Sequence, residues 1–166
     1  MTRRIGNSFG YNRNESDDDY TSFETLFLDF IDAVSKNGNL LLNAGPRGED
    51  AQIPDKQLSR LSKFGEWLNQ NGDAVYGTRP WTQAEAITET GEAIRFTKKD
   101  KKLYLMLLGN HSGSKIKVKQ VSIDGEACLL ADGSQVKLER EGDDMVLTFA
   151  RQLDDLFVPV VLIDGV

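Results

Sequence analysis

The sequence predicts two kinds of structure in one chain: an α/β part over residues 1–81 and an all-β, antiparallel sandwich over residues 82–166. Three observations predict it. Before Trp81, apolar residues recur at the spacing of three and four that gives a helix one buried face. Between two such stretches lies a continuous apolar run, residues 40–42, of the kind that parallel sheets bury on both faces. After Trp81 the chain breaks into short β-like runs separated by turn signals.

Taken in order, the chain opens on "RRIGNSFGYNRNE", residues 3–15, a loop-like stretch rich in Gly, Asn and aromatic residues. Asp17, Asp18 and Asp19 follow, an acidic run placed to favour the dipole of the next helix. That helix is "TSFETLFLDFIDAVSKNG", with Phe23, Leu26, Phe27, Phe30, Ile31 and Val34 on its buried face. Thr21 and Glu24 form its capping box, and Gly38 supplies the stop. "NLLLNAGP" reads as the buried strand, and Pro54 starts a second helix that ends at Asn71-Gly72. Its apolar face comprises Leu58, Leu61, Phe64 or Gly65, and Leu68, while Trp67 reads as structural. Helix, strand and helix amount to one βα unit plus the helix of the unit before it, too little to close a parallel sheet.

Trp81 opens the linker to the second part, where seven runs read as strands: "EAIRFT", "KLYLMLLG", "KIKVKQVSI", "EACLLA", "QVKLER", "DMVLTFA" and "VPVVLIDG". "KIKVK" alternates cleanly, with Ile116 and Val118 inward. The basic run "KKDKK" sits between two of these strands as a solvated turn.

Composition narrows the function. A net charge of -6 disfavours nucleic acid and anionic membrane surfaces, which require clustered Lys and Arg. No apolar run approaches a membrane span and no signal peptide is evident, so the chain as written is expected to stay where it is made, in the cytoplasm. The single Cys128 reads as a buried, inert thiol, and the single His111 as a surface residue in a turn, so no metal site is expected.

The segments "IGNSFGYNRNE", "VSKNGNLLLNAGPRG" and "IPDKQLSRLSKFGEWLNQNGDAVYGTRPW", followed by a β-rich tail, resemble in order the C-terminal part of α-L-fucosidases of glycoside hydrolase family 29. The family usually reads "GP-x-x-DG-x-IP" after the strand, where this chain has "GPRGEDAQIP". The resemblance implies the last elements of a (β/α)8-like barrel followed by the sandwich. It also implies cofactor-free, retaining hydrolysis of terminal α-L-fucose from glycans.

That chemistry takes two carboxyl groups about 5 Å apart, a nucleophile and an acid/base. The resemblance assigns the acid/base to Glu15, which by itself would read as a solvated loop carboxylate. It assigns a substrate-facing arginine to Arg3, with Arg4 as a rival, and it lets Phe9 and Tyr11 line the sugar site, although packing serves them equally well. The nucleophilic aspartate and the fucose-holding histidines belong to the first barrel strands, and the chain has no such segments. It is therefore expected to be inactive alone, with a fucosylated glycan as ligand and either a chain supplying the earlier strands or self-association as its partner. A noncatalytic sandwich binding carbohydrate or a partner protein is the alternative, and an orphan fragment exposing its helix faces is a third.

Overall fold

A computed structural model describes all residues, 1–166, which divide into two compact units, Met1–Asn69 and Gln70–Val166. In the first unit, strand β1 (Thr2–Arg4) pairs in parallel with β2 (Leu41–Asn43), Arg3 opposite Leu42. Helix α1 (Phe23–Ser35) connects them, and α2 (Asp55–Asn71) follows. A parallel pair joined through a helix is an α/β unit, and β1 is a strand where a loop-like opening was expected: Arg3 and Arg4 extend because they lie beside Leu42 and Asn43 of β2.

The periodicity of α1 is borne out, with Phe23, Leu26, Phe27 and Ile31 buried. The cap lies one residue later than expected: Ser22 Oγ accepts from the Thr25 amide at 3.1 Å. At the other end Asn37 takes the left-handed conformation (φ 63°), and the Gly38 amide donates to the Ala33 carbonyl at 2.7 Å.

Two expectations are corrected here. Leu41 is 66% exposed, so the apolar run is not buried on both faces; in a two-stranded sheet β2 has a neighbour on one edge only. On α2, Leu58 is exposed at 47%, whereas Gln57, Phe64 and Trp67 are buried. The inward face of α2 is set by an aromatic cluster. The Phe27 ring lies 4.7 Å from Trp67 and 5.2 Å from Phe64, and Phe23 meets Phe64 edge-on at 5.4 Å. Each such pair contributes about 0.5–1.5 kcal/mol beyond its area burial.

The second unit is an antiparallel sandwich of eight strands: β3 (Arg79–Ile87), β4 (Ala93–Lys99), β5 (Lys102–Leu107), β6 (Lys115–Val118), β7 (Glu126–Leu129), β8 (Gln135–Glu141), β9 (Asp144–Phe149) and β10 (Val160–Asp164). They form one hydrogen-bonded sheet in the order β3-β4-β5-β10-β7-β8-β9-β6. Its two ends meet, because Lys119 N–H donates to the Ile87 carbonyl at 3.0 Å and Glu89 N–H to the Lys117 carbonyl at 2.8 Å.

Leu103, Leu105 and Leu107 of β5, Val161 and Ile163 of β10, and Leu147 of β9 point into one core, as strict alternation requires. Ile116 and Val118 point inward as expected. All seven expected strands are present.

The eighth, β3, occupies the stretch where Trp81 was expected to open a linker. It is an edge strand, where a proline without an amide hydrogen costs no ladder bond, and its register shifts between Pro80 and Glu85. Trp81 packs on the core, 5.2 Å from the Phe96 ring.

The "KKDKK" run forms the β4–β5 turn, with Asp100 at φ 55°. His111 is not a surface residue: it is 9% exposed, and its Nε2 lies 3.0 Å from the Leu108 carbonyl oxygen because the loop after β5 folds back on itself. Burial pushes its imidazole below the ordinary range. Cys128 is half-buried on the opposite face of β7 from Leu129, which points into the core. No helix is long and apolar enough to cross a membrane.

Candidate active site

Parallel α/β units place reacting groups on the loops that follow the C-terminal ends of their strands. In the first unit, β1 is followed by the loop that carries residues 5–22, and β2 by the loop that carries residues 44–54. The two loops touch. Asn43 Nδ2 donates to the Phe9 carbonyl, and Gly45 lies so close to the Gly10–Tyr11 peptide that a side-chain carbon there would stand 2.6 Å from it. Only glycine fits that approach.

Glu15 sits in the first of these loops, half-buried. Its Oε1 accepts a 2.6 Å hydrogen bond from the Ser8 amide, and its Oε2 is buried without a hydrogen-bond donor, packed against Gly6. A solvated loop carboxylate would have water at both oxygens. This one is held by a single backbone donor, with a dry second oxygen able to carry a proton.

The acidic run folds as a 3-10 turn, Asp17–Asp19, and braces the loop. Asp19 accepts from the Ser16 amide at 2.7 Å, from the Ser16 hydroxyl at 2.9 Å and from Asn7 Nδ2 at 2.6 Å. The Ser16 amide, foremost among these donors, holds the Asp19 carboxyl below its usual range. Asp17 pairs with Lys56 at the start of α2.

Arg3 and Arg4, neighbours on a strand, point to opposite faces. Arg3 pairs with Asp29 of α1 at 2.8 Å and makes no ion pair with Glu15. Arg4 places its guanidinium 5.7 Å from the centre of the Phe9 ring. Arg3 and Phe9 line one surface depression with Asn7, Thr21 and Asp29. Phe9 and Tyr11 are 55% and 37% exposed, so neither is a core residue.

Sequence reasoning missed Tyr20 and Gln57. Gln57 is 3% exposed on the first turn of α2, and its Oε1 accepts from the Gly45 amide at 2.8 Å. Burial first, and then the Glu15 charge, raise the pKa of the Tyr20 hydroxyl above the ordinary tyrosine value. The Tyr20 ring is flanked by Lys56 Nζ at 5.7 Å and the Arg60 guanidinium at 5.5 Å. Arg60 also donates through Nε to the Thr21 carbonyl at 2.7 Å, tying the end of the loop to α2. No group of metal-ligating side chains is assembled in the chain.

Residues 1–73, which contain this whole constellation, match the family model "Alpha-L-fucosidase". The α-L-fucosidase of Dictyostelium discoideum is 40% identical over 79 residues, 46% of this chain and 16% of that protein. That of Branchiostoma floridae is 35% identical over 101 residues, 61% of this chain and 22% of that protein. The crystal structure of Thermotoga maritima α-fucosidase in complex with a mechanism-based inhibitor superimposes with a TM-score of 0.90 at 40% identity. The superposition covers 99% of this chain and 39% of that one. The sandwich as well as the first unit therefore has its counterpart there, while the chain spans well under half the length of each of these relatives. Over residues 1–73 in sequence, and over nearly its whole length in fold, the chain resembles the α-L-fucosidases of glycoside hydrolase family 29, consistent with a C-terminal portion of such a protein.

Proposed function

We propose that this chain is the acid/base-bearing part of an α-L-fucosidase, and that Glu15 is its general acid and base. The observation that carries the reading is the carboxyl of Glu15: one oxygen anchored by the Ser8 amide, the other dry and without a donor, on a loop after a parallel strand. In a retaining mechanism Glu15 gives its proton to the departing glycosidic oxygen while a carboxylate nucleophile attacks the anomeric carbon. It then takes a proton from the water that releases fucose. The nucleophile belongs, by the family resemblance, to earlier barrel strands that the 166 residues do not include.

The ligand proposed is a fucosylated glycan; the similar Thermotoga maritima α-fucosidase has been crystallised in complex with fucose. Phe9 offers an exposed ring to an apolar sugar face, and Arg3 stands next to it in the same depression, where it can reach a hydroxyl. The proposed domain organisation is a barrel portion followed by the sandwich, and the proposed partner is a polypeptide carrying the earlier barrel strands.

The test is turnover of aryl α-L-fucosides by the chain alone and after mixing with a polypeptide that supplies the earlier strands of the Thermotoga enzyme. Turnover is expected only on mixing. Glu15→Gln should lower it by about 10²–10⁴-fold for poor leaving groups, the usual contribution of a general acid, with much smaller losses for nitrophenyl leaving groups and partial rescue by azide. Equal losses for good and poor leaving groups would remove Glu15 from the role.

A further inference from the structure

We propose that Gly6 is the positioning residue for Glu15: the space left by its missing side chain is the seat in which the carboxyl rests, and that seat fixes which way the carboxyl points. The proposal rests on the acid/base reading of Glu15 and adds to it the means by which the group is aimed.

A side-chain carbon built on Gly6 would overlap Oε2 of Glu15 and stand 3.0 Å from the carboxyl carbon and 3.1 Å from Oε1. Those are its three nearest heavy atoms, so the direction in which any L-residue would project at position 6 is filled by this one carboxyl. The backbone itself does not ask for glycine. The φ of Gly6 lies outside the left-handed region, so the conformation is open to other residues and only the room is missing.

Both backbones are pinned. Before Gly6, Ile5 is fully buried, its amide donates to the Asn43 carbonyl at 3.4 Å, and its carbonyl accepts from the Thr21 amide at 2.9 Å. After Gly6, the Asn7 side chain donates to Asp19 at 2.6 Å. On the opposite side, the Glu15 amide donates to the Asn12 carbonyl at 3.2 Å, and its neighbour Ser16 is held by Asp19 through amide and hydroxyl. The carboxyl is thus clamped, with Oε1 on the Ser8 amide at 2.6 Å and Oε2 buried on Gly6, and the side-chain torsions of Glu15 are the softest part of the contact. Gly6 also borders the depression that Arg3, Asn7 and Phe9 line, so the seat lies at the wall of the surface proposed for the sugar.

A carboxyl that must give a proton and take one back cannot accept a second permanent N–H or O–H donor without being fixed as the anion. A glycine surface restrains the rotamer and supplies no such donor. It leaves both protonation states open, which suits a group that changes state twice per turnover.

The experiment has two arms. In the full chain, the Ser8 amide is followed by proton–nitrogen NMR in the wild type, Gly6→Ala and Glu15→Ala. An amide donating to a carboxylate at 2.6 Å has its proton resonance displaced downfield, and Glu15→Ala, which removes the acceptor, is expected to move it upfield. Gly6→Ala is expected to move it the same way, because the carboxyl must withdraw by about 1 Å to reach ordinary contact with the added carbon. An unmoved Ser8 resonance in Gly6→Ala overturns the proposal without touching the fucosidase reading. In the reconstituted enzyme, Gly6→Ala is expected to lower kcat about 10²-fold for poor leaving groups at unchanged KM, and much less for nitrophenyl fucosides, with partial rescue by azide. No loss, or a loss equal across leaving groups, would overturn the proposal, while Glu15→Gln, assayed beside it, reports on the acid/base role itself. Should Gly6→Ala fail to fold, its combination with Glu15→Ala decides the point. With the carboxyl gone the added carbon loses its three nearest contacts, so the double variant is expected to fold and to melt in denaturant with Glu15→Ala alone. A double variant that also fails to fold overturns the proposal.

Discussion

Replacing Gly45 by alanine puts a new carbon 2.6 Å from both the Gly10 carbonyl carbon and the Tyr11 amide nitrogen, and 3.0 Å from the Gly10 oxygen. Ordinary van der Waals contact begins near 3.4 Å, so the loop after β1 must withdraw by 3.4 − 2.6, about 0.8 Å. The atoms in the way are backbone, and no side-chain rotation relieves the clash. Overpacking of this kind costs about 1–3 kcal/mol.

The displaced segment lies a few residues before Glu15 and next to Ser8, whose amide holds the carboxyl. A misplacement near 1 Å at a reacting group costs on the order of 10²-fold in rate. Gly45→Ala is therefore expected to unfold at lower denaturant concentration and to lose about two orders of magnitude of reconstituted turnover on fucosides with poor leaving groups. Gly48→Ala is the control, in the same loop with nothing within 4 Å of the added carbon, and its stability should stay within about 0.5 kcal/mol of wild type. Equal stability and equal turnover in the two variants would refute the argument that the two loops are locked together at Gly45.

Ala51 stands where the family pattern has glycine, and it adopts φ 57°. Left-handed backbone costs an L-residue about 1–2 kcal/mol, and glycine's extra flexibility returns about 0.5–1 of that, so Ala51→Gly should stabilise the chain by about 0.5–1 kcal/mol in denaturant melts. His111 is kept below its ordinary pKa of 6.5 by burial, so its unfolded form binds the proton first. Its contribution to stability is complete above about pH 6.5 and declines as the pH falls below that value. His111→Gln should flatten the fall in stability just below pH 6.5, measured by denaturant melts at each pH. Glu92, whose bonds from Thr88 and then Thr90 hold its pKa at about 2 against 4.5 in the unfolded chain, adds its own loss of stability as the pH approaches 4.5, and the His111 effect is read above that range.

The parts of the fold that were legible in the sequence are those fixed by local pattern. The spacing of Phe23, Leu26, Phe27 and Ile31 gives α1 its buried face, and the alternation in "KIKVK" gives β6 its inward residues, because both depend only on the period of the element. What escaped depended on partners distant in sequence. Apolar spacing turned Leu58 inward, but the site needed an acceptor for the Gly45 amide, and Gln57 took the buried position twelve residues away. Tyr20 carried no signal in its own segment, because the groups that flank its ring, Lys56 and Arg60, come from α2. The strand β3 was missed at Trp81 because its pairing with β4, irregular between Pro80 and Glu85, leaves no clean alternation to read. For Glu15, spacing alone gave only a loop carboxylate; the proposed role comes from the family resemblance, and the buried Oε2 without a donor is the structural feature that supports it.

The closure of the eight-stranded sheet also bears on how the protein behaves when crowded. A sheet left open offers the amides and carbonyls of its outer strands to any other extended chain, and that is how β proteins begin to clump. Here the outer strands β3 and β6 hold each other through Ile87, Glu89, Lys117 and Lys119. The remaining free length of β3 carries Pro80 and an irregular register. The sandwich thus leaves little backbone for a stranger to copy, which suits it to persist at high concentration.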